Sequence, residues 1–309
     1  MLRTILRLVI ATWIVASASS VYGSNPATNP PIRVQGADGV WLELKQPAER
    51  IVALAPSIVE NIYSAGAGDK LIAAIGSDYP EAARQLPEIG NYQLINYEAL
   101  LVLKPDLIVA WSSGTGSRKI EKLRELGFTV FVTETKSLED IASNVRTFGE
   151  IAGTSGVAER AADDWTRRLH ELMRDSEDKT QVSVLYQVWH KPLQTLNGDH
   201  LISNVIEACG GRNAYEDAIV LAPQISVESV LDRDPDVIIA SGLGESRPQS
   251  LDDWKRYSGL TAVQLNNLYH VPPDIIQRHT MRVLDGMQLV CDQLDQARDK
   301  KMRVSKTVK

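Results

Sequence analysis

A stretch of this sequence occurs twice, and the repeat limits what the chain can fold into. Residues 96–114, NYEALLVLKPDLIVAWSSG, return as residues 226–244, SVESVLDRDPDVIIASGLG. At a constant offset of 130 residues Glu98 matches Glu228, Leu101 matches Leu231, Pro105 matches Pro235, Asp106 matches Asp236 and Ala110 matches Ala240. Asn96 or Ser226 can cap a short helix through its side-chain oxygen, and the glutamate then lies in the first turn, where the helix dipole favours negative charge. Pro105 or Pro235 forbids continuation. The apolar runs at 107–110 and 237–240 that follow are short and bounded by turn residues, as strands buried on both faces should be. One helix–strand unit used twice predicts two similar α/β lobes.

The chain has 309 residues, enough for two lobes with separate cores. Residues 1–23 stand apart: Arg3 and Arg7 precede an apolar run at 8–16 and the small residues Ala16 and Ala18, the pattern of a secretory signal peptide. That run is too short to span a bilayer, and no cysteine follows it to take a lipid. Losing the two arginines moves the formal charge from −6 to −8, with 31 basic against 39 acidic residues. So acidic a protein is a poor match for nucleic acid or an anionic membrane. Cys209 and Cys291 are the only cysteines. Export to an oxidising compartment makes one disulfide the first reading, with two buried thiols as the alternative. No C-x-x-C or H-x-x-x-H spacing indicates a metal site.

Residues 24–47 read as a polar leader and a hairpin turning at Asp38-Gly39. From 48 to 136, strand-like runs at 50–55, 71–75, 107–111 and 128–133 alternate with helical stretches, among them one capped by Pro56-Ser57. Such alternation predicts a parallel sheet covered on both faces. Ser137 caps a connecting segment, 137–176, with apolar residues at helical spacing and an interruption at 153–156 that marks a kink or a junction of two helices. The alternation restarts over 177–298, with a last helix at 277–297, and residues 299–309 form a basic tail expected to lack fixed structure. The expected fold is therefore α/β: two Rossmann-like lobes with parallel-sheet cores, joined by a long α-helical connector, with a ligand cleft between them.

Ligands of open α/β sheets bind at the carboxyl ends of strands. Here those ends carry Ala55-Pro56-Ser57, Asp78-Tyr79-Pro80, Trp111-Ser112-Ser113 and Gln187-Val188-Trp189-His190, for the most part aromatic or uncharged. A flat, mostly apolar ligand with polar edges suits them. Neither G-x-S-x-G nor G-x-x-x-x-G-K-[ST] is present, and His190 and His200 have no partner at a recognisable spacing, so no catalytic residues are assigned. An exported enzyme and a signalling receptor remain the alternatives to a transport protein.

The stretches RIVALAPSIVENIYSAGAG, SDYPEAARQLPEIGNY, NYEALLVLKPDLIVAW, NVIEACGG and APQISVESVL resemble the periplasmic substrate-binding proteins of ABC importers for cobalamin, haem and iron-siderophores. The resemblance covers residues 50–296 and is strongest to the cobalamin-binding members. It implies a monomer without catalytic activity that captures a corrinoid as transported ligand, not cofactor, and delivers it to an inner-membrane permease dimer. It further implies ligand contacts at Tyr79, Tyr92 and Trp111 and along Ala55, Pro56 and Ser57, with Asp274 and Arg278 facing the ligand from the second lobe. Ala222 stands where the cobalamin binders have a tryptophan, and Trp189 is the candidate replacement. A haem ligand would instead use Tyr79 as an axial donor. The positions matching Cys209 and Cys291 imply a disulfide between them, and those matching Glu98 and Glu228 imply permease docking.

Overall fold

The computed structural model describes residues 30–91, 93–242 and 248–307. The signal-peptide segment, most of the leader, and Tyr92 lie outside them. β1 (Ile32–Gln35) and β2 (Trp41–Leu44) pair antiparallel around Gly39, whose φ of 79° is a left-handed value that glycine adopts without a steric penalty. Val34 and Leu42 face inward from this hairpin onto the first lobe's core.

Lobe 1 runs β3 (Ile51–Ala53), α1 (Pro56–Ser64), β4 (Leu71–Ala74), α2 (Tyr97–Leu103), β5 (Leu107–Trp111), the single turn α3 (Ser112–Thr115), α4 (Ser117–Glu125) and β6 (Val130–Thr133). Its strands are parallel in the order β4-β3-β5-β6 and almost wholly buried, which is why they carry no polar alternation. The cap of α1 is Ala55 rather than Ser57: Pro56 takes the first helical position, where its fixed φ fits and its missing N–H costs nothing.

The connector is two helices and not one. α5 (Leu138–Ala152) starts from a capping box made by Ser137 and Asp140 and ends at Gly153, at φ 72°. The chain then reverses into α6 (Ser155–Ser176), which packs along α5 and is tied to it by Arg146 bonding Glu159 and Asp163. Both helices bridge the lobes. Leu138, Ile141 and Ala142 of α5 lie in the lobe 2 core and Val145, Phe148 and Ile151 in the lobe 1 core, while α6 goes from Ala158 on lobe 1 to Trp165, Leu169 and Leu172 on lobe 2.

Lobe 2 continues with β7 (Val182–Gln187), α7 (Leu201–Ala208), β8 (Gly211–Asn213), α8 (Val227–Arg233), β9 (Val237–Ala240), α9 (Thr261–Gln264), β10 (Leu268–His270), α10 (Pro273–Ile276) and α11 (Val283–Thr307). The parallel order β10-β9-β7-β8 is the order of lobe 1 over again: counted along the chain, each sheet runs second, first, third, fourth. Two expectations are corrected here. The last helix does not begin at 277, because α10 ends at Ile276 and the chain turns before Val283. Nor does the basic tail leave the fold at 299. No proline interrupts α11, and Arg298, Lys300 and Lys301 return to Thr180, Asn266 and Asp236, so the helix continues to Thr307. A Cys209–Cys291 disulfide, spanning 82 residues, ties the end of α7 to α11.

Candidate functional site

The first strand of each sheet lies between the second and the third, so the connections leaving the first and third strands diverge at the carboxyl end and open a crevice there. In lobe 1 that crevice is flanked by Ala55-Pro56-Ser57 after β3 and by Trp111 at the end of β5. These residues line an interlobe cavity of about 570 Å³ together with Phe148 of α5 and, from lobe 2, His200, Leu221, Gln277, Arg278 and His279.

Trp111 is held in place on three sides. Its indole Nε1 donates to Glu134 Oε1 at 2.6 Å, and its backbone N–H donates to Thr115 Oγ1 at 3.1 Å. A Cβ at Gly114 would lie 2.0 Å from the indole, so only glycine leaves the ring its room. Glu134 also receives the backbone N–H groups of Ser113 and Thr135, so its charge is satisfied on both oxygens. Asn144 of α5 fixes the same loop by donating to Glu134 O and Thr135 Oγ1. The bridging helix thus sets the position of the cleft wall.

Lobe 2 brings titratable groups. His200 caps α7 by accepting the Ile202 N–H on Nδ1, and its ring meets that of His279 edge to face with centroids 5.9 Å apart. Burial, with the His279 ring adding to it, pushes the His200 imidazole down to about 4; burial also lowers His279, against a raising effect of Glu134. Both rings are neutral at neutral pH.

At the cleft edge the lobes are joined by charge. Glu60 on α1, only 3% exposed, accepts from Arg278 Nη1 at 3.0 Å and from both Nε and Nη2 of Arg282 at 2.9 Å. Arg278 also grips Asp78 through two bonds of 2.7 Å, which hold the Asp78 carboxyl below its usual range and raise the guanidinium. The Arg282 guanidinium lies 3.8 Å above the Tyr79 ring, and Asn61 donates to the His279 carbonyl at 3.0 Å.

Of the residues named from the sequence, Ala55, Pro56, Ser57, Trp111 and Arg278 line the cavity, and Tyr79, Trp189 and Asp274 do not. Tyr79, 45% exposed, stacks under Arg282, and Asp274 pairs with Arg278 at 3.2 Å. Trp189, 40% exposed, donates to the Lys191 carbonyl. Ala222 packs on the lobe 2 core and leaves the cavity to its neighbour Leu221. Tyr92 lies outside the described residues. Glu134, Phe148 and His279 also line the cavity without a site assignment from the sequence, as does His200, which stands there as a lone histidine. Glu134 follows the carboxyl end of β6, the same kind of position that marks Ala55, Asp78 and Trp111 in the sequence. Glu98 and Glu228 are exposed in the first turns of α2 and α8, whose caps Asn96 and Ser226 accept from Ala99 and Ser229.

Residues 51–275 match the family described as periplasmic binding protein. A vitamin B12-binding protein of Vibrio cholerae serotype O1 is 39% identical over 249 residues, 80% of this chain and 90% of that protein. One from Yersinia pestis is 35% identical over 251 residues, 81% of this chain and 87% of that protein. The crystal structure of the periplasmic vitamin B12 binding protein BtuF of Vibrio cholerae superposes with a TM-score of 0.75 at 39% identity, covering 81% of this chain and 98% of that one. The apo periplasmic heme-binding protein RhuT from Roseiflexus superposes with a TM-score of 0.71 at 22% identity, over 81% of this chain and 99% of that one, and shares the fold.

Proposed function

The chain belongs to the periplasmic binding protein family, and on that premise we propose that it is exported by residues 1–23 and captures a corrinoid between its lobes for an ABC importer. The observation that carries this reading is the asymmetric cavity at the crevice of the two sheets. Pro56, Trp111 and Phe148 offer an apolar wall to the flat face of a macrocycle, and Gln277 and Arg278 offer donors to amide side arms at its edge. A corrinoid is bulkier than the drug-sized ligands such a cavity encloses. Loading it therefore requires the Glu60 and Asp78 contacts to Arg278 and Arg282 to part, and Tyr79, Tyr92, Trp189 and Asp274 are proposed to close on the part that extends outward.

Delivery would use the repeat. α2 and α8 each run back against the strand that follows, so Glu98 and Glu228 stand on the carboxyl side of their sheets, exposed and one per lobe, as a two-fold symmetric cationic partner requires. Haem is the rival ligand, but Tyr79, its expected axial donor, is turned onto Arg282 outside the cavity. Titration calorimetry with cyanocobalamin, dicyanocobinamide and haemin tests the reading: the corrinoids bind one per chain, and tight haemin binding without a corrinoid signal would refute the ligand.

A further inference from the structure

His200 and His279 form a neutral imidazole pair in the cleft that apolar stacking on Trp111 does not use. Among the described residues no group of three or more His, Cys, Asp or Glu side chains could hold a metal ion. The pair therefore has too few partners for a bare cation, which takes three or four protein ligands. A metal that arrives inside a macrocycle brings its four equatorial nitrogens with it and needs only one axial donor from the protein.

The two rings are not equivalent. His200 Nδ1 accepts the Ile202 N–H, so its lone pair is committed and the proton of the neutral ring sits on Nε2. Neither ring nitrogen of His279 has a hydrogen-bond partner among the described residues, so one lone pair is free in the neutral ring. The His279 backbone is fixed to lobe 1 through Asn61, and its ring borders the same cavity as the Trp111 wall. Glu134, which also lines the cavity, has both oxygens occupied by Trp111, Ser113 and Thr135.

We propose that His279 is an axial ligand to the cobalt of the bound corrinoid, and that His200 positions its ring by edge-to-face contact. The imidazole lone pair forms a Co–N bond, a Co–O bond to axial water breaks, water leaves, and no proton or electron moves. Ligands with an open or water-bearing axial position would then be preferred over those with both faces occupied. This inference rests on the corrinoid reading above.

The test is electron paramagnetic resonance of the whole protein with cob(II)inamide, which lacks the nucleotide base and so brings no axial nitrogen. One nitrogen-14 donor splits each cobalt line into three. Wild-type protein is expected to show the triplet. His279→Ala is expected to lose it while still binding cobinamide by calorimetry, and His200→Ala is expected to keep it. Wild-type protein that binds cobinamide without the triplet would overturn the inference and leave the corrinoid reading standing. A triplet that survives in His279→Ala, or is lost only in His200→Ala, would overturn the assignment to His279. Failure of wild-type protein to bind any corrinoid would remove the reading on which the inference rests.

Discussion

In lobe 1 the carboxylate of Asp106 receives the backbone N–H groups of Glu49 and Arg50, and in lobe 2 that of Asp236 receives the N–H of Ser183. Each of these aspartates ties the start of a third strand to the start of a first. The helix ends before them match as well, with Lys104 at φ 48° and Asp234 at φ 39° closing α2 and α8 in left-handed conformations. The likeness holds to Ala110 and Ala240 and stops one residue later, where Trp111 faces the cleft and its counterpart Ser241 is a buried residue whose carbonyl is bound by Gln277. What repeats is the frame that closes the sheet. What differs begins where the strand leaves it: lobe 1 gives the cavity an apolar wall, and lobe 2 gives it imidazoles and a guanidinium.

The lobes also differ in how they are held, and the largest expected effect probes that. Replacing Cys209 and Cys291 with serine frees an 82-residue loop and should cost about 4 to 5 kcal/mol as an upper estimate from chain entropy. Hydrogen exchange should locate the loss in lobe 2, and an equal loss of protection in both lobes would break the comparison. Glu60→Ala comes next, since it leaves Arg278 and Arg282, each 21% exposed, facing an empty site. The expected cost is about 3 kcal/mol, at the lower end for a broken buried pair because both arginines are partly solvated and Arg278 keeps Asp78. Scattering should show the lobes spreading. An unchanged profile at unchanged stability would remove the charge cluster from the closure of the cleft.

Acid should act on lobe 2 through His200. Its folded pKa of about 4 lies below the usual histidine value, so above pH 6.5 both folded and unfolded chains are neutral there and nothing changes. As pH falls from 6.5 towards 4 the unfolded chain takes up the proton first, and stability drops by about 3 kcal/mol at most. Denaturant melts between pH 7 and 4 should show this slope in the wild type and a shallower one in His200→Asn, which keeps a helix cap. In lobe 1, Trp111→Ala should weaken corrinoid binding 5- to 150-fold, about 1 to 3 kcal/mol, by calorimetry with little change in melting temperature. The smallest effect on the isolated protein should come from Glu98→Ala with Glu228→Ala. Both sites are exposed, so stability and ligand affinity should stay within about 0.5 kcal/mol while stimulation of the permease ATPase in vesicles is lost. Loss of ligand binding in that double variant would make these acids structural.

The frame could be read in the sequence because proline, caps and short apolar runs act locally, and their recurrence at one offset made the second lobe visible from the first. The connector could be read as helical, but not its reversal: a glycine near position 153 permits either a kink or a turn, and the packing of α6 back along α5 decides. The cleft was harder to see. Glu60 sits in an apolar helix with nothing nearby to pair with, and its partners Arg278 and Arg282 lie more than 200 residues away. The same distance hides why Tyr79 faces a guanidinium. His200 looked like a lone histidine because its partner, His279, is brought to it only by the turn between α10 and α11.

The most direct test is a crystal structure of the protein with cyanocobalamin. Density for the corrin ring should lie between the lobes, with one face towards Pro56 and Trp111, the other towards His279, and its edge towards Gln277 and Arg278. Density elsewhere, as in the groove of about 1350 Å³ along α6 and α7 lined by Arg167, His170 and Asn204, with the cleft left empty, would contradict a binding site built from two unlike walls on one repeated frame.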